Sequence, residues 1–173
     1  MKYIITGGPC TGKTTIINEL KKLKFSTVPE LARKVITKEQ KKGKKGILPW
    51  TDLKSFELIL IQEQVRHESK TKKMPVFLDR GLPDIIAYSK LGKVNLPKEI
   101  FRHIKEAKYT KVFFLEQLTF FENDAQRFEA SKKEADKVHK TIHQTYKRLG
   151  YEIVRIPPVS VQERVKIILE QSR

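Results

Sequence analysis

Apolar residues along this chain recur with two alternating periods, one suited to strands and one to helices. Tyr3-Ile4-Ile5 is a short β-prone run ending at Thr6, which fits a buried first strand. From Thr15 to Leu23, residues Ile16, Ile17, Leu20 and Leu23 fall at helical spacing. Phe25 to Val28 predicts a second strand closed by Pro29. Glu30 to Gln40 predicts a helix with Leu31, Val35 and Ile36 facing inward. Residues 41–50 (KKGKKGILPW) form a basic loop broken by glycine and proline. Thr51 or Asp52 caps a long helix to about Lys70, with Leu53, Phe56, Ile59 or Leu60, and Val65 on its buried side. Val76-Phe77-Leu78 is a third strand that runs into Asp79-Arg80-Gly81. Pro83 opens a helix to about Leu91, and Pro97 another to about Lys108. Lys111 to Leu115 reads as a fourth strand, and residues 116–131, which lack a clean period, as a mobile loop. Ala135, Val138, Ile142, Tyr146 and Leu149 mark a helix that stops at Gly150. Glu152 to Ile156 is a fifth strand. Ser160 and Glu163 have capping-box spacing for a last helix, with Val161, Val165 and Ile168 or Leu169 inward.

Apolar strands alternating with helices argue for an α/β fold whose parallel sheet is covered on both faces. The 173 residues suit a single domain spanning 1–173, without internal repeat or low-complexity tail. No apolar run approaches the ~18 residues of a membrane span, and the first strand follows Met1 almost directly. Cys10 is the single cysteine, which excludes an intramolecular disulfide. These features predict a cytoplasmic protein. The net charge of +16 is clustered at Lys38–Lys45, at Lys70–Lys73, and at Lys132, Lys133, Lys137 and Lys140. Such charge draws polyanions and phosphorylated ligands, but it also suits a lysine-rich solvated surface. Without an arginine-rich stripe carrying interleaved aromatics, nucleic acid is not the favoured partner.

Residues 7–14 change the picture. Gly7, Gly8, Pro9, Cys10, Thr11, Gly12, Lys13 and Thr14 make a complete GxxxxGK[ST] loop, followed by Thr15. Glycines let the backbone approach a phosphate closely, and successive N–H groups then point into one anion-sized concavity. Lys13 can reach terminal phosphates, and the Thr14 hydroxyl can sit on Mg²⁺. The predicted strand before and helix after place a helix N-terminus behind the phosphates. ATP is the expected donor, because no NKxD guanine-reading motif occurs.

Ligands in such sheets bind beyond the carboxyl ends of the strands, where Glu30, Asp79 and Glu116 fall. Asp79 ends an apolar strand, the setting of a Walker B acid that holds Mg²⁺. Glu116 is a competing candidate, but Gln117 and Leu118 offer it no matching partner. The residue after Asp79 is Arg80 rather than a water-polarising glutamate, which argues for transfer to a bound acceptor over hydrolysis. Glu30 and Arg33 share a helix face; Glu30 can accept an acceptor's hydroxyl proton and Arg33 can hold its charged group, or Glu30 can simply favour the helix dipole. Arg127 can close over the phosphates like a lid and neutralise transferred charge. His67, His103, His139 and His143 read as structural.

Taken in order, Gly7–Thr15 (GGPCTGKTT), Val28–Arg33 (VPELAR), Phe77–Gly81 (FLDRG), Asn123–Arg127 (NDAQR), Tyr146–Pro157 (YKRLGYEIVRIP) and Ser160–Val165 (SVQERV) resemble the P-loop AAA-domain ATPase/kinase group around the NadR-type ribosylnicotinamide kinase domain, itself similar to thymidylate and deoxynucleoside kinases. The resemblance implies a P-loop NTPase fold with sheet order 2-3-1-4-5 and a mobile lid at about 116–133. It also implies ATP as donor, Mg²⁺ and a small-molecule acceptor, with Glu30 and Asp79 at the acceptor and metal side, Arg80 and Arg33 near the acceptor's phosphate or sugar, and Arg127 in the lid. Gly81 replaces the Ser, Tyr or His that often follows the Asp-Arg pair in the deoxynucleoside and thymidylate kinases.

Overall fold

A computed structural model describes residues 1–71, 73–118 and 131–172. The chain runs β1 (Lys2–Thr6), α1 (Lys13–Lys22), β2 (Ser26–Val28), α2 (Leu31–Gln40), α3 (Leu53–Lys70), β3 (Val76–Asp79), α4 (Leu82–Leu91), α5 (Glu99–Ala107), β4 (Tyr109–Leu115), α6 (Lys132–Arg148), β5 (Ile153–Ile156) and α7 (Val161–Glu170). All five strands pair in parallel, in the order β2-β3-β1-β4-β5. This is the order the resemblance implied.

Because side chains alternate across a strand, β1 feeds two cores. Ile4, with Val28, Leu78, Val112 and Phe114, packs beneath α2 to α6. Tyr3 and Ile5, with Phe77, Phe113, Leu115 and Ile156, pack beneath α1 and α7 through Ile16, Leu20, Val165 and Ile168. All strands end on the same side, so the turns after β1, β2 and β3 converge there.

Several details differ from expectation. Helix α1 begins at Lys13 rather than Thr15, because Gly12 takes φ 78 as its N-cap and lets the helix start at once. Leu23 is the C-cap of α1 and is 53% exposed, so it lies past the inward stripe. Strand β4 starts at Tyr109, which pairs with Lys2 ahead of a bulge. On α3, Leu53 and Val65 are only half-buried, whereas Glu57, Gln64 and Glu68 are buried. A polar network explains the last two. Glu68 Oε1 accepts from Tyr109 Oη at 2.6 Å and from Gln64 Nε2 at 2.9 Å, and Lys2 Nζ lies 3.2 Å from Oε2. Of the segment expected to form a lid, residues 119–130, including Arg127, lie outside the described residues; Ser131 caps α6. The lysines of all three basic clusters that are described stand exposed. No described helix is long and apolar enough to cross a membrane.

One carboxylate joins the layers. Asp84, the third residue of α4, is buried. Its Oδ1 accepts from Thr6 Oγ1 at 2.6 Å, and its Oδ2 accepts from the Gly81 N–H at 3.0 Å and from Tyr146 Oη at 2.5 Å. Asp84→Ala is expected to lower the unfolding free energy by about 3 kcal/mol, since it strands three buried donors. Asp84→Asn, which keeps the shape, should cost less. Urea titration monitored by circular dichroism measures both.

Candidate functional site

The loop after β1 is held by its surroundings as much as by its own sequence. Gly7 has φ 145, and a Cβ there would stand 2.6 Å from the Leu115 carbonyl oxygen, so no side chain fits. The Gly8 N–H donates to His139 Nδ1 at 3.0 Å, Arg164 Nη1 donates to the Thr11 carbonyl at 2.9 Å, and the Leu118 N–H donates to the Cys10 carbonyl at 3.1 Å. Helices α6 and α7 therefore brace the loop from behind. Since α1 starts at Lys13, the N–H groups of its first turn have no acceptor within the helix and carry the positive end of its dipole. Lys13 is buried, and its Nζ donates to the Gly8 carbonyl at 2.6 Å. Burial, then the Arg80 charge, bring its pKa down to about 8.

Asp79 and Arg80 arrive from the end of β3. Asp79 is buried, its Oδ1 has no hydrogen-bond partner, and burial followed by the Glu30 charge lifts its pKa to about 6. An unpartnered carboxylate oxygen beside a buried lysine is a donor set suited to a hard divalent cation, with the Thr14 hydroxyl as a neighbouring oxygen on the same cavity. Arg80 adopts φ 70, an uncommon backbone for a residue with a side chain. That turn sends its guanidinium to Glu30 Oε1 (Nε, 3.0 Å) and Asp84 Oδ1 (Nη1, 3.4 Å), and over the Tyr88 ring at 5.3 Å. Glu30 Oε2 also accepts from Arg33 Nε at 3.2 Å. Burial pushes the Glu30 carboxyl upward, but Arg80, Lys13 and Arg33 outweigh it and hold Glu30 below the usual carboxylate range.

These groups share one cavity of about 640 Å³. Pro9 to Thr15 form one wall, with Glu30, Arg33, Asp79 and Arg80 beside them. Trp50, Phe56, Glu57, Gln64 and Tyr88 also line it. Gly7 and Gly8 support the loop without lining the cavity. Glu116 lies elsewhere: it binds Arg155 Nε at 2.6 Å and approaches His139 Nε2 at 3.4 Å, in a separate open cleft with Phe114, His143 and Pro157. Of the two acids considered for the metal, only Asp79 faces the loop's cavity. Arg127 lies outside the described residues.

Four contributors went unread in the sequence. Asp84 occupies the N3 position behind Gly81, a recognisable capping place. Arg164 and His139 each sit next to an inward apolar residue, Val165 and Val138, and so lie at the margin of a buried stripe. Glu57 adjoins Phe56 in the same way and is 3% exposed. Their partners come from distant segments, which no spacing rule reveals.

A parallel five-stranded sheet of this order, with a phosphate loop after its first strand, defines the α/β P-loop kinase fold. The chain belongs to the AAA-domain family, whose model matches residues 2–164. No curated protein matches it by sequence. Among solved structures it resembles deoxyadenosine kinase from M. mycoides with products dCMP and a flexible dCDP bound, at TM-score 0.67 and 16% identity, covering 99% of this chain and 98% of that one. Thymidylate kinase from Ehrlichia chaffeensis aligns at TM-score 0.68 and 15% identity, over 100% of this chain and 98% of that one. NadR protein in complex with NR aligns at TM-score 0.72 and 19% identity over 98% of this chain, which spans only 49% of NadR.

Burial lifts the Glu57 carboxyl to about 8, with the Arg80 charge opposing the shift. A carboxyl raised above its free value of 4.5 contributes stability below about pH 4.5 that is lost as pH rises towards about 8. Glu57→Gln removes that loss. The variant should therefore melt above the wild type at pH 8, with the gap closing towards pH 5. Paired thermal melts across this range read the difference.

Proposed function

We propose that this protein is a Mg·ATP-dependent kinase that transfers the γ-phosphate to a nucleoside, nucleotide or related small acceptor. The observation that carries the reading is the single cavity in which the phosphate loop and Lys13 face Asp79, Glu30 and Arg80. Resemblance in fold to deoxyadenosine and thymidylate kinases supports it.

On this reading, residues 7–15 cradle the phosphates through backbone N–H groups, and Lys13 is drawn fully cationic by them. Thr14 and Asp79 hold Mg²⁺, which when bound neutralises charge on the phosphates. Arg80 stands between donor and acceptor, its position fixed by Glu30 and Asp84, and stabilises charge on the moving phosphoryl group. Glu30, kept ionised by its arginines, accepts a hydrogen bond from the acceptor hydroxyl and aims its oxygen in line. A loose transition state asks for such positioning more than for a strong base. Arg33 serves the acceptor's own charge, and Arg127 is proposed to close from the 116–133 segment. The absence of a glutamate after Asp79 is consistent with little idle hydrolysis.

The test is a coupled ADP-release assay with nucleosides and nucleotides as acceptors. At least one should raise turnover well above the acceptor-free rate. Lys13→Met should cut kcat/KM by about a thousandfold, and Glu30→Gln should lower kcat by roughly a hundredfold. If no acceptor raises turnover above slow hydrolysis, the kinase reading fails, and a nucleotide-driven switch takes its place.

A further inference from the structure

The phosphate loop is held from outside by His139 on the Gly8 N–H, by Arg164 on the Thr11 carbonyl and by the Leu118 N–H on the Cys10 carbonyl. The Arg164 guanidinium and the Leu118 amide keep their protons at any physiological pH. The His139 imidazole is the brace that can change its charge. Its contact with the loop is close as well as polar. A Cβ at residue 8 would stand 2.7 Å from His139 Cβ, so α6 comes this near only because residue 8 is glycine. The carbonyl of the same glycine carries the lysine of the site: it accepts from Lys13 Nζ at 2.6 Å and from Thr11 Oγ1 at 3.0 Å. Gly8 is thus clamped between His139 and Lys13.

The geometry fixes which ring nitrogen carries the proton. Nδ1 accepts from the Gly8 N–H, so it holds no proton itself. The neutral ring then carries its proton on Nε2, which faces Glu116 Oε2 at 3.4 Å. A proton added to Nδ1 would point at the Gly8 N–H, and two donors cannot share one bond. Charged groups reach the ring from several elements: Glu116 after β4, itself bound to Arg155 of β5, Lys13 of α1, and His143 and Lys140 of α6. Phe114 of β4 lies against the ring at 4.5 Å. Burial lowers the imidazole pKa; Glu116 opposes this, Lys13 and His143 add to it, and the outcome lies below the usual histidine value.

Resting on the nucleotide-binding part of the function proposed above, we propose that His139 is a positioning residue for the phosphate loop: its unprotonated Nδ1 holds the Gly8 peptide in the orientation that receives nucleotide phosphates, and protonation in acid releases it, so that ATP binding weakens as pH falls. A released Gly8 also frees the carbonyl on which Lys13 rests. An imidazolium by its charge alone would attract phosphate. A loss of affinity in acid therefore separates a broken brace from simple electrostatics.

Calorimetric titration with Mg·ATP from pH 8 to pH 5 tests this on wild type, His139→Asn, His139→Gln and His139→Leu, each checked for folding by thermal melts. Asparagine sets an amide oxygen where Nδ1 stands and does not titrate, whereas glutamine reaches to the place of Nε2. Comparing variants at one pH cancels the titration of ATP and of Asp79. At pH 8, His139→Leu should bind ATP about tenfold more weakly than wild type, and His139→Asn should stay within about threefold of it. Between pH 8 and pH 5, wild type should lose about fivefold or more in affinity relative to His139→Asn. A constant ratio between wild type and His139→Asn at every pH overturns the proposal and leaves the nucleotide reading standing. So does His139→Leu binding like wild type at pH 8. So does rescue by glutamine but not asparagine, which assigns the role to the Glu116 contact. If His139→Leu does not fold, the asparagine and glutamine variants still decide. A wild type that binds no ATP at pH 8 overturns the proposal and the nucleotide reading together.

Discussion

Asp84 ties four separate parts of the chain to one pair of oxygens. Thr6 ends the strand that enters the phosphate loop, Gly81 opens α4, Tyr146 belongs to α6, and Arg80 reaches into the cavity. Placing a carboxylate in so dry a position is tolerated only because its oxygens are satisfied by hydroxyls, a backbone N–H and a cation. The same bonds set where the sheet ends and where Arg80 points. Architecture and candidate chemistry therefore hang on one buried carboxyl group at the edge of the cavity.

The cavity balances cations against anions within a small volume. Lys13 and Arg80 face Glu30 and Asp79, and each perturbs the others: Lys13 is pulled down, Asp79 pushed up and Glu30 held low. Arg80 settles the split, since its direct bond to Glu30 keeps that carboxylate ionised while Asp79 lacks an equivalent partner. Neighbouring cations favour this carboxylate, but burying its oxygen without a hydrogen-bond partner costs stability. Its natural complement is a metal ion shared with phosphate oxygens, the occupant proposed above.

Much of the fold was legible because its signals are local. The apolar runs at Ile4, Leu78 and Phe113 each need only a few residues to declare a buried strand, and the loop at Gly7–Thr14 carries its chemistry in consecutive positions. Leu23 keeps the helical spacing yet stands exposed as the C-cap of α1, because a helix stripe says nothing of where packing stops. The inward face of α3 was harder still: Gln64 and Glu68 look like solvent residues until Tyr109 and Lys2, from remote strands, supply partners for Glu68, which in turn accepts from Gln64. For the same reason Asp84, His139 and Arg164 were unreadable as members of the site; their significance lies in contacts made across 78, 131 and 153 residues of chain.

The two cores give this arrangement a further property. Helix α1, which follows the phosphate loop, is seated among Ile5, Phe77 and Phe113 on one face of the sheet. Helix α3, which supplies Phe56, Glu57 and Gln64 to the cavity, is seated on the other face against Leu78 and Leu82. The sheet stands between them as a partition. Replacements that reshape the α3 wall are absorbed in one compartment, while the seat of the loop is kept in the other. Such a division lets a lineage revise what it recognises without relearning how to grip a phosphate.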